Sequence, residues 1–169
     1  MSSTDVGTTS ETGTAELSTI DMGLEVVTVP VSDVDRAKRF YQSLGWRLDI
    51  DLDGGEVRVV QMTPRHSGCS IHFGKGITAM EPGSLDRMYL AVKDIDAARE
   101  DLLSRGIDVS DVEEQPKPPG FEQAAEQLST GEFPSGRSYF AYASFSDPDG
   151  NGWLLQEVTD RLPGREWED

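Results

Sequence analysis

The chain has few thiol and imidazole side chains, with one cysteine, Cys69, and two histidines among its 169 residues. A single thiol cannot form an internal disulfide, and it excludes a zinc site built from several cysteines. Basic residues are also few, since 15 Lys and Arg face 31 Asp and Glu and leave a net charge of -16. This excess repels phosphate backbones and anionic lipid surfaces. We therefore expect no nucleic acid and no membrane among the partners.

Long apolar runs are absent as well. No stretch approaches the roughly 20 residues that a membrane-spanning helix needs. The first 20 residues are rich in Ser, Thr, Gly and Glu, and they lack the basic start and apolar middle of a secretory signal. We interpret residues 1–20 as a disordered N-terminal tail and predict a cytoplasmic protein.

The chain does contain an internal repeat. Residues 24–48 match residues 85–109 without a gap, at an offset of 61. In each copy an apolar stretch leads to an aspartate, Asp33 or Asp94, and then to a helical pattern that ends at a glycine. The repeated unit is strand, cap, helix, glycine stop and strand. A duplicated fold of this kind favours a functional cavity between the copies.

The first copy predicts a βαβββ module over residues 21–83. Its β-branched and apolar patterns indicate strands at 24–31, 46–52, 56–62 and 69–73. Ser32 or Asp33 caps the helix that follows the first strand, and Gly45 ends it.

The second copy predicts a βαβββ module over residues 84–160. It begins with a strand from Leu85 and a helix at 95–105, and further strands are expected at 107–112, 138–146 and 153–159. An insert at 113–136 interrupts the pattern, and within it residues 121–128 could form a short helix. So long an irregular stretch is typical of a lid or a binding loop, or of disorder. We place residues 161–169 in a C-terminal surface tail.

Two phrases of the sequence, VPVSDVDRAKRFYQSLGW and SFSDPDGNGWLLQEV, occur with these paired modules. Together they resemble the vicinal oxygen chelate superfamily, which includes glyoxalase I, extradiol dioxygenases, methylmalonyl-CoA epimerase and the bleomycin and fosfomycin resistance proteins. The resemblance covers about residues 24–160. It implies an α+β fold in which two tandem βαβββ modules form a curled eight-stranded, barrel-like sheet pair with the helices outside. It also implies a homodimer.

Metal-dependent members of that superfamily take their ligands from the first and fourth strands of each module. In this chain the resemblance places those positions at Val26, His72, Arg87 and Leu154. Valine and leucine have no lone pair for a divalent ion, and the guanidinium of Arg87 would repel it. Glu157 lies three residues past the expected position, with the wrong strand parity. We therefore expect no metal and no other cofactor, while a divalent ion held by a different ligand set stays an alternative.

Two side chains stand out as catalytic candidates. His72 alternates with apolar neighbours, so it lies on the opposite face of the strand from them. The resemblance assigns that face to the cup, where His72 could act as a general base or a hydrogen-bond anchor. A structural role for this histidine is the alternative. Arg87 could bind a carboxylate or enolate oxygen, or it could form an ion pair with a neighbouring acid such as Asp86 or Glu25.

Aromatic and amide side chains could line the same cup. The ligand-binding candidates are Gln61, His72, Arg87, Tyr89, Tyr142 and Gln156. Strand alternation puts Tyr89 on the side of Arg87 and turns Trp153 into the core. Alternation assigns no face to Gln61 or Tyr142.

The sequence favours binding of a small organic ligand in the cup between the modules, without the superfamily's usual metal, as in the bleomycin-resistance type. The net charge fits a cationic compound, whereas Arg87 favours an anionic group. The alternative function is an enzyme of glyoxalase, lyase or dioxygenase type. Such an enzyme would have an atypical metal site, or it would be metal-free with His72 as base and Arg87 as oxyanion stabiliser. A module that only binds other proteins is a third possibility.

Overall fold

The computed structural model describes residues 20, 22–121, 136–159 and 161. Two helices and eight strands lie in this part of the chain. In chain order they are β1 (Val26–Thr28), α1 (Val34–Ser43), β2 (Arg47–Asp53), β3 (Arg58–Thr63), β4 (Ser70–Lys75), β5 (Met88–Val92), α2 (Ile95–Ser104), β6 (Glu113–Glu114), β7 (Ala141–Ser146) and β8 (Gly152–Glu157).

The two helices reproduce the sequence repeat. They start 61 residues apart, and each has an aspartate as its N-cap. The Asp33 carboxylate accepts a hydrogen bond from the Arg36 backbone N–H at 2.9 Å. The Asp94 carboxylate accepts the equivalent bond from the Ala97 N–H at 3.0 Å. Each cap satisfies a backbone donor that the first helical turn would leave without a partner.

The strands form two separate four-stranded sheets. The N-terminal sheet has the order β1-β4-β3-β2, and the C-terminal sheet has the equivalent order β5-β8-β7-β6. In each sheet the first and fourth strands of the module are parallel neighbours, and the other pairs are antiparallel. The α+β fold with two βαβββ modules is confirmed, although the two sheets do not close into a single barrel.

A shared aromatic core joins the modules. Tyr41, on α1, is fully buried, and its ring centre lies 5.4 Å from that of Phe73 in the N-terminal sheet and 5.9 Å from that of Trp153 in the C-terminal sheet. Both sheets therefore turn one face toward the helix side and the common core. Trp153 is 3% exposed, so its prediction as a core residue is confirmed. We call the opposite face of each sheet its open face.

The turn between β7 and β8 fastens the C-terminal module to the N-terminal one. The Tyr41 hydroxyl donates to the Asp147 carboxylate at 2.9 Å, and the Asn151 side chain donates to the Pro30 carbonyl at 2.9 Å. Within the turn, the Asp147 backbone N–H donates to the Asn151 carbonyl at 3.0 Å. This agrees with the tight hairpin that a Asp-Pro-Asp-Gly sequence predicts.

The strand predicted at 107–112 is wrong. The strand of this region is β6, with two residues, and it lies in what was predicted as the start of the insert. The reason lies at Ser110, whose backbone N–H donates to the Ser144 carbonyl at 2.9 Å while its hydroxyl accepts from the Ser144 N–H at 2.9 Å. A side chain thus replaces the backbone acceptor that would have extended the ladder.

Several predictions fall on residues outside those described. They are the tail at 1–20 except Ile20, residues 122–135 of the insert with most of its possible short helix, and nearly all of the tail at 161–169. Among the described residues, none of the helices is both long and apolar enough to cross a bilayer.

Candidate functional site

The open face of the N-terminal sheet carries two of the predicted site residues side by side. His72 in β4 is in register with Gln61 in β3 and with Thr28 in β1. The Thr28 hydroxyl and the His72 Nε2 share a hydrogen bond of 2.5 Å. Gln61 is also in register with Ile50 on the outer strand β2, so one row of neighbours crosses the whole sheet.

A second set of hydrogen bonds continues from Gln61 along the same face. The Gln61 amide donates to the Ser70 hydroxyl at 3.3 Å, and the hydroxyls of Ser70 and Thr63 are 2.7 Å apart. The Thr63 hydroxyl also donates to Asp49. Hydrogen bonds from Arg47 and Thr63 hold the pKa of the Asp49 carboxyl below its ordinary value. This face is therefore a polar surface whose side chains fix one another.

The open face of the C-terminal sheet forms a groove of about 410 Å³. Its side chains lie in rows across the strands. One row contains Glu113, Tyr142 and Gln156, and the next contains Ser144, Leu154 and Tyr89. Leu154 thus lies on the floor, between a serine and a tyrosine.

Tyr142 is held in place by its neighbours. Its hydroxyl donates to the Tyr139 carbonyl at 2.5 Å and accepts from the Gln156 amide at 3.1 Å. The same amide donates to the Tyr139 carbonyl at 3.0 Å. The Tyr89 ring meets the Tyr142 ring edge to face, with centres 6.5 Å apart. Hydrogen bonds therefore fix Tyr142 and Gln156, and the exposed ring of Tyr89 completes an aromatic and amide wall.

Arg87 lies at one end of the groove, immediately before β5. Its backbone has a φ of +57°, in the left-handed region, and its side chain is 71% exposed. Its guanidinium lies 3.8 Å from the Asp86 carboxylate, so an ion pair with Asp86, one of the two expected alternatives, is present but long. The chain passes close to Gly152, where an added Cβ would lie 3.3 Å from the Arg87 backbone nitrogen.

The predicted site residues form two groups within one chain. Gln61 and His72 are on the open face of the N-terminal sheet, whereas Arg87 and the residues of the aromatic wall are on that of the C-terminal sheet. Since the opposite faces of both sheets pack on the common core, the two open faces point away from each other. A single chain does not place His72 beside Arg87.

The four positions that the superfamily uses for metal do not fit a divalent ion in this chain. Val26 and Leu154 have no ligand atom in their side chains. The residues in register with them are Ser70 and Tyr89, so neither position brings a strong ligand to the open face. Among the described residues, no three His, Cys, Asp or Glu side chains are grouped to hold an ion. Glu157 is buried against the core, where Arg137 donates to it at 2.8 Å.

The sequence reasoning missed some residues of the groove. Glu113 enters it because β6 pairs with β7 and puts Glu113 in register with Tyr142. This strand has two residues, too few for a periodic pattern to reveal. Ser144 shares the face of Tyr142, two residues earlier, to which alternation assigned no side, and its register with Leu154 places it on the open face.

Comparison with known proteins agrees with this architecture. The sequence model of the Glyoxalase/Bleomycin resistance protein/Dioxygenase superfamily matches residues 23–155. TnmS3, an antibiotic-binding protein from Streptomyces sp. CB03234, is 30% identical, and the match covers 82% of this chain and 97% of that chain with a TM-score of 0.59. A glyoxalase/bleomycin resistance protein from the same organism is also 30% identical, with coverages of 79% and 99% and a TM-score of 0.57.

A more distant structure, lactoylglutathione lyase from Agrobacterium tumefaciens, is 14% identical over 82% of this chain and 96% of that chain, with a TM-score of 0.56, which shows a likeness in fold alone. No curated protein sequence matches significantly. The family match covers residues of both modules and the β7–β8 turn that fastens one module to the other. The chain belongs to the Glyoxalase/Bleomycin resistance protein/Dioxygenase superfamily.

Proposed function

We propose that the protein binds a small organic compound of antibiotic type on the open face of its C-terminal sheet, without a metal and without altering the compound. The observation that carries this proposal is a groove of about 410 Å³ that is lined by Tyr142 and Leu154, with Gln156 and Tyr89 in contact with Tyr142 on the same face. This size falls in the usual range for small-molecule sites, and an aromatic wall with a few oriented polar groups is typical of them. The 30% identity to an antibiotic-binding protein supports the same ligand class.

We further propose that a second copy of the chain covers the groove. Ile50 and Leu52 on the open face of the N-terminal sheet are 38% and 68% exposed, and Tyr89 on the other open face is 55% exposed. A homodimer that pairs the N-terminal sheet of one protomer with the C-terminal sheet of the other would remove this apolar surface from water. It would also place the His72 side of one protomer opposite the Tyr142 side of its partner, which makes one cup from two open faces.

The test of binding combines metal analysis with thermal unfolding. Purified protein is assayed for bound metal and then heated with a panel of aromatic antibiotics, with and without added Zn, Ni, Mn and Fe. We expect stabilisation by a panel member that needs no metal, about 2.7 kcal/mol when the ligand is at 100 times its Kd. Mass spectrometry should recover the compound unchanged. Leu154→Gln in the groove floor should remove the stabilisation, whereas Leu103→Gln on exposed α2 should keep it.

Two other outcomes would contradict the proposal. Stoichiometric metal or turnover of a compound would support the enzyme alternative, and His72→Ala would then abolish turnover at an almost unchanged melting temperature if the histidine were catalytic. No stabilisation by any small molecule would support a module that binds only proteins.

The dimer is tested separately by sedimentation. Leu52→Lys places a charge on the open face of the N-terminal sheet, and we expect it to give a monomer that binds the ligand more weakly. Leu103→Lys, on exposed α2, should remain dimeric. A monomeric wild-type protein would contradict the two-chain cup.

A further inference from the structure

Three charged side chains line the groove, namely Asp86, Arg87 and Glu113. Asp86 is next to Arg87, and the two that lie far apart and have opposite sign are Arg87 and Glu113. They lie at β5 and β6, the two outer strands of the sheet, so three strand spacings, about 14 Å, separate them across the sheet. Along the strands, Glu113 is level with Tyr142, and Arg87 is beside Gly152, which is level with Ser146. These four residues of rise add about 13 Å, so the diagonal between the backbone positions of Arg87 and Glu113 is about 19 Å.

The floor between these corners is apolar in the middle and low at the Arg87 end. Leu154 and Tyr89 are neighbours in the central row, with Ser144 on the other side of Leu154. The row beside Arg87 contains Gly152 and Ser146, whose side chains are absent or small. The Asp86 carboxylate lies beside this row, 3.4 Å from where a Cβ of Gly152 would be. An elongated aromatic compound can lie along the floor with one end beside Arg87.

The guanidinium of Arg87 has donors to spare. Its contact with Asp86 is 3.8 Å long, compared with about 2.8 Å for a direct charge-assisted hydrogen bond. The backbone holds an unfavourable left-handed conformation for a residue with a Cβ. Strained residues of this kind occur preferentially at ligand sites, where the surrounding structure keeps them in place.

The net charge of -16 does not prevent an anion from binding here. Charges separated by more than about 8 Å are largely screened at physiological ionic strength, so the distant acids mainly slow the approach of an anion. A direct bond to Arg87 acts at contact distance and is screened much less. Asp86 is the acid nearest to Arg87, and at 3.8 Å its carboxylate makes no short hydrogen bond to the guanidinium, whose donors can still bind an acidic group of a ligand.

We propose that the groove selects elongated aromatic ligands with an acidic group, such as a carboxylate, sulfonate or phenolate, and that Arg87 binds this group. The proposal rests on the proposed function and assigns the ligand class and its orientation. The acidic group lies at the Arg87 end, because Glu113 repels it from the far corner. Arg87 is thus a specificity-determining residue.

The test uses two fluorescent probes with the same aromatic rings. 1-Anilinonaphthalene-8-sulfonate carries a sulfonate, and N-phenyl-1-naphthylamine does not. Both are titrated into wild-type protein and into Arg87→Gln, Arg87→Lys and Arg39→Gln. Arg39 is an exposed arginine on α1, on the helix side of the fold, and serves as the matched control.

We expect Arg87→Gln to weaken binding of the sulfonated probe about tenfold, since hydrogen bonds to charged groups contribute at least this much. The uncharged probe should change less than twofold. Arg87→Lys should retain part of the preference, and Arg39→Gln should retain all of it. Because the Arg87 side chain is 71% exposed, added salt should still weaken binding of the sulfonated probe, and more than binding of the uncharged probe.

The outcomes separate this inference from the proposed function. If Leu154→Gln weakens the binding of both probes but Arg87→Gln leaves the binding of the sulfonated probe unchanged, the proposed ligand binding stands and the preference for an acidic group is refuted. Equal weakening of both probes by Arg87→Gln also refutes it, because Arg87 would then only support the groove. If neither probe binds, or if Leu154→Gln affects neither, the proposed function fails and the inference fails with it.

Discussion

Replacing Tyr41 with phenylalanine tests the polar link between the two modules. The change removes one oxygen and keeps the aromatic ring that packs between Phe73 and Trp153. The lost hydroxyl donates to Asp147 at 2.9 Å and accepts from the Trp153 indole N–H at 3.3 Å. Tyr41 is fully buried, and Trp153 and Asp147 are 3% and 5% exposed, so water does not replace these bonds freely.

The expected loss of stability depends on the hydrogen bonds that Asp147 keeps in the variant. The Asp147 carboxylate keeps the Asn151 side-chain amide at 2.7 Å and two backbone N–H groups at 2.9 Å, so it stays well solvated by the protein. The loss is one hydrogen bond to a charged group, and the indole N–H is left without its acceptor. We expect the free energy of unfolding to fall by about 2 kcal/mol. The matched change Tyr89→Phe, at a residue that is 55% exposed, should alter it by less than about 0.5 kcal/mol.

Urea unfolding at neutral pH measures both variants, with the denaturant slope checked for constancy. Alkaline pH gives a second readout. Burial, and then the negative charge of Asp147, raise the pKa of Tyr41 far above its ordinary value. The folded state therefore keeps Tyr41 neutral while the unfolded state ionises it near pH 10.

The stability that this difference provides is complete below pH 10 and falls as the pH rises further, by about 1.4 kcal/mol per pH unit. Tyr41→Phe should lose this component of the alkaline slope. A Tyr41→Phe variant as stable as Tyr89→Phe, or one with an unchanged alkaline slope, would refute the role assigned to the junction.

Two further predictions concern stability. Hydrogen bonds from Arg58 and Lys38 lower the pKa of Asp51 well below its ordinary value. The Asp51 carboxylate therefore stabilises the fold above about pH 4, and this stability is lost as the pH falls. Asp51→Asn should flatten the acid dependence of the free energy of unfolding in urea titrations, and an unchanged slope would contradict this role. Gly83 has a φ of +77°, and an added Cβ would lie 2.1 Å from a backbone oxygen of the β7–β8 turn, whereas Gly55 has a φ of +84° and open space. Gly55→Ala should lower the free energy of unfolding by about 1 to 2 kcal/mol, because alanine disfavours the left-handed conformation. Gly83→Ala should lower it by at least about 2 kcal/mol more in the same assay. Equal losses in the two variants would contradict the close approach at Gly83.

Local signals in the sequence predicted most of the fold. The aspartate caps and the glycine stops act within a few residues, so the helices α1 and α2 could be positioned from the repeat alone. The β7–β8 hairpin was equally predictable, because proline, glycine and asparagine restrict its backbone directly. Strand alternation also assigned Trp153 to the core.

The relation between the two sheets could not be predicted in this way. Alternation shows which residues share a face, but whether two faces meet depends on packing between distant parts of the chain. Tyr41 lies in the helix predicted between the Asp33 cap and Gly45, yet no local pattern indicates that its hydroxyl reaches Asp147, 106 residues later. The grouping of Gln61 with His72 required the register of β3 and β4. The left-handed backbone of Arg87 has no local sequence signal either, since the residue is not a glycine.

The shared core separates the residues that stabilise the fold from those that could bind a ligand. Tyr41, Trp153 and the β7–β8 turn use the inner faces of both sheets, so the open faces are left with exposed side chains such as Arg87 and Tyr89. Substitution of an exposed side chain generally costs little stability. The open faces could therefore change their ligand specificity through single substitutions while the repeat, the caps and the junction kept the fold.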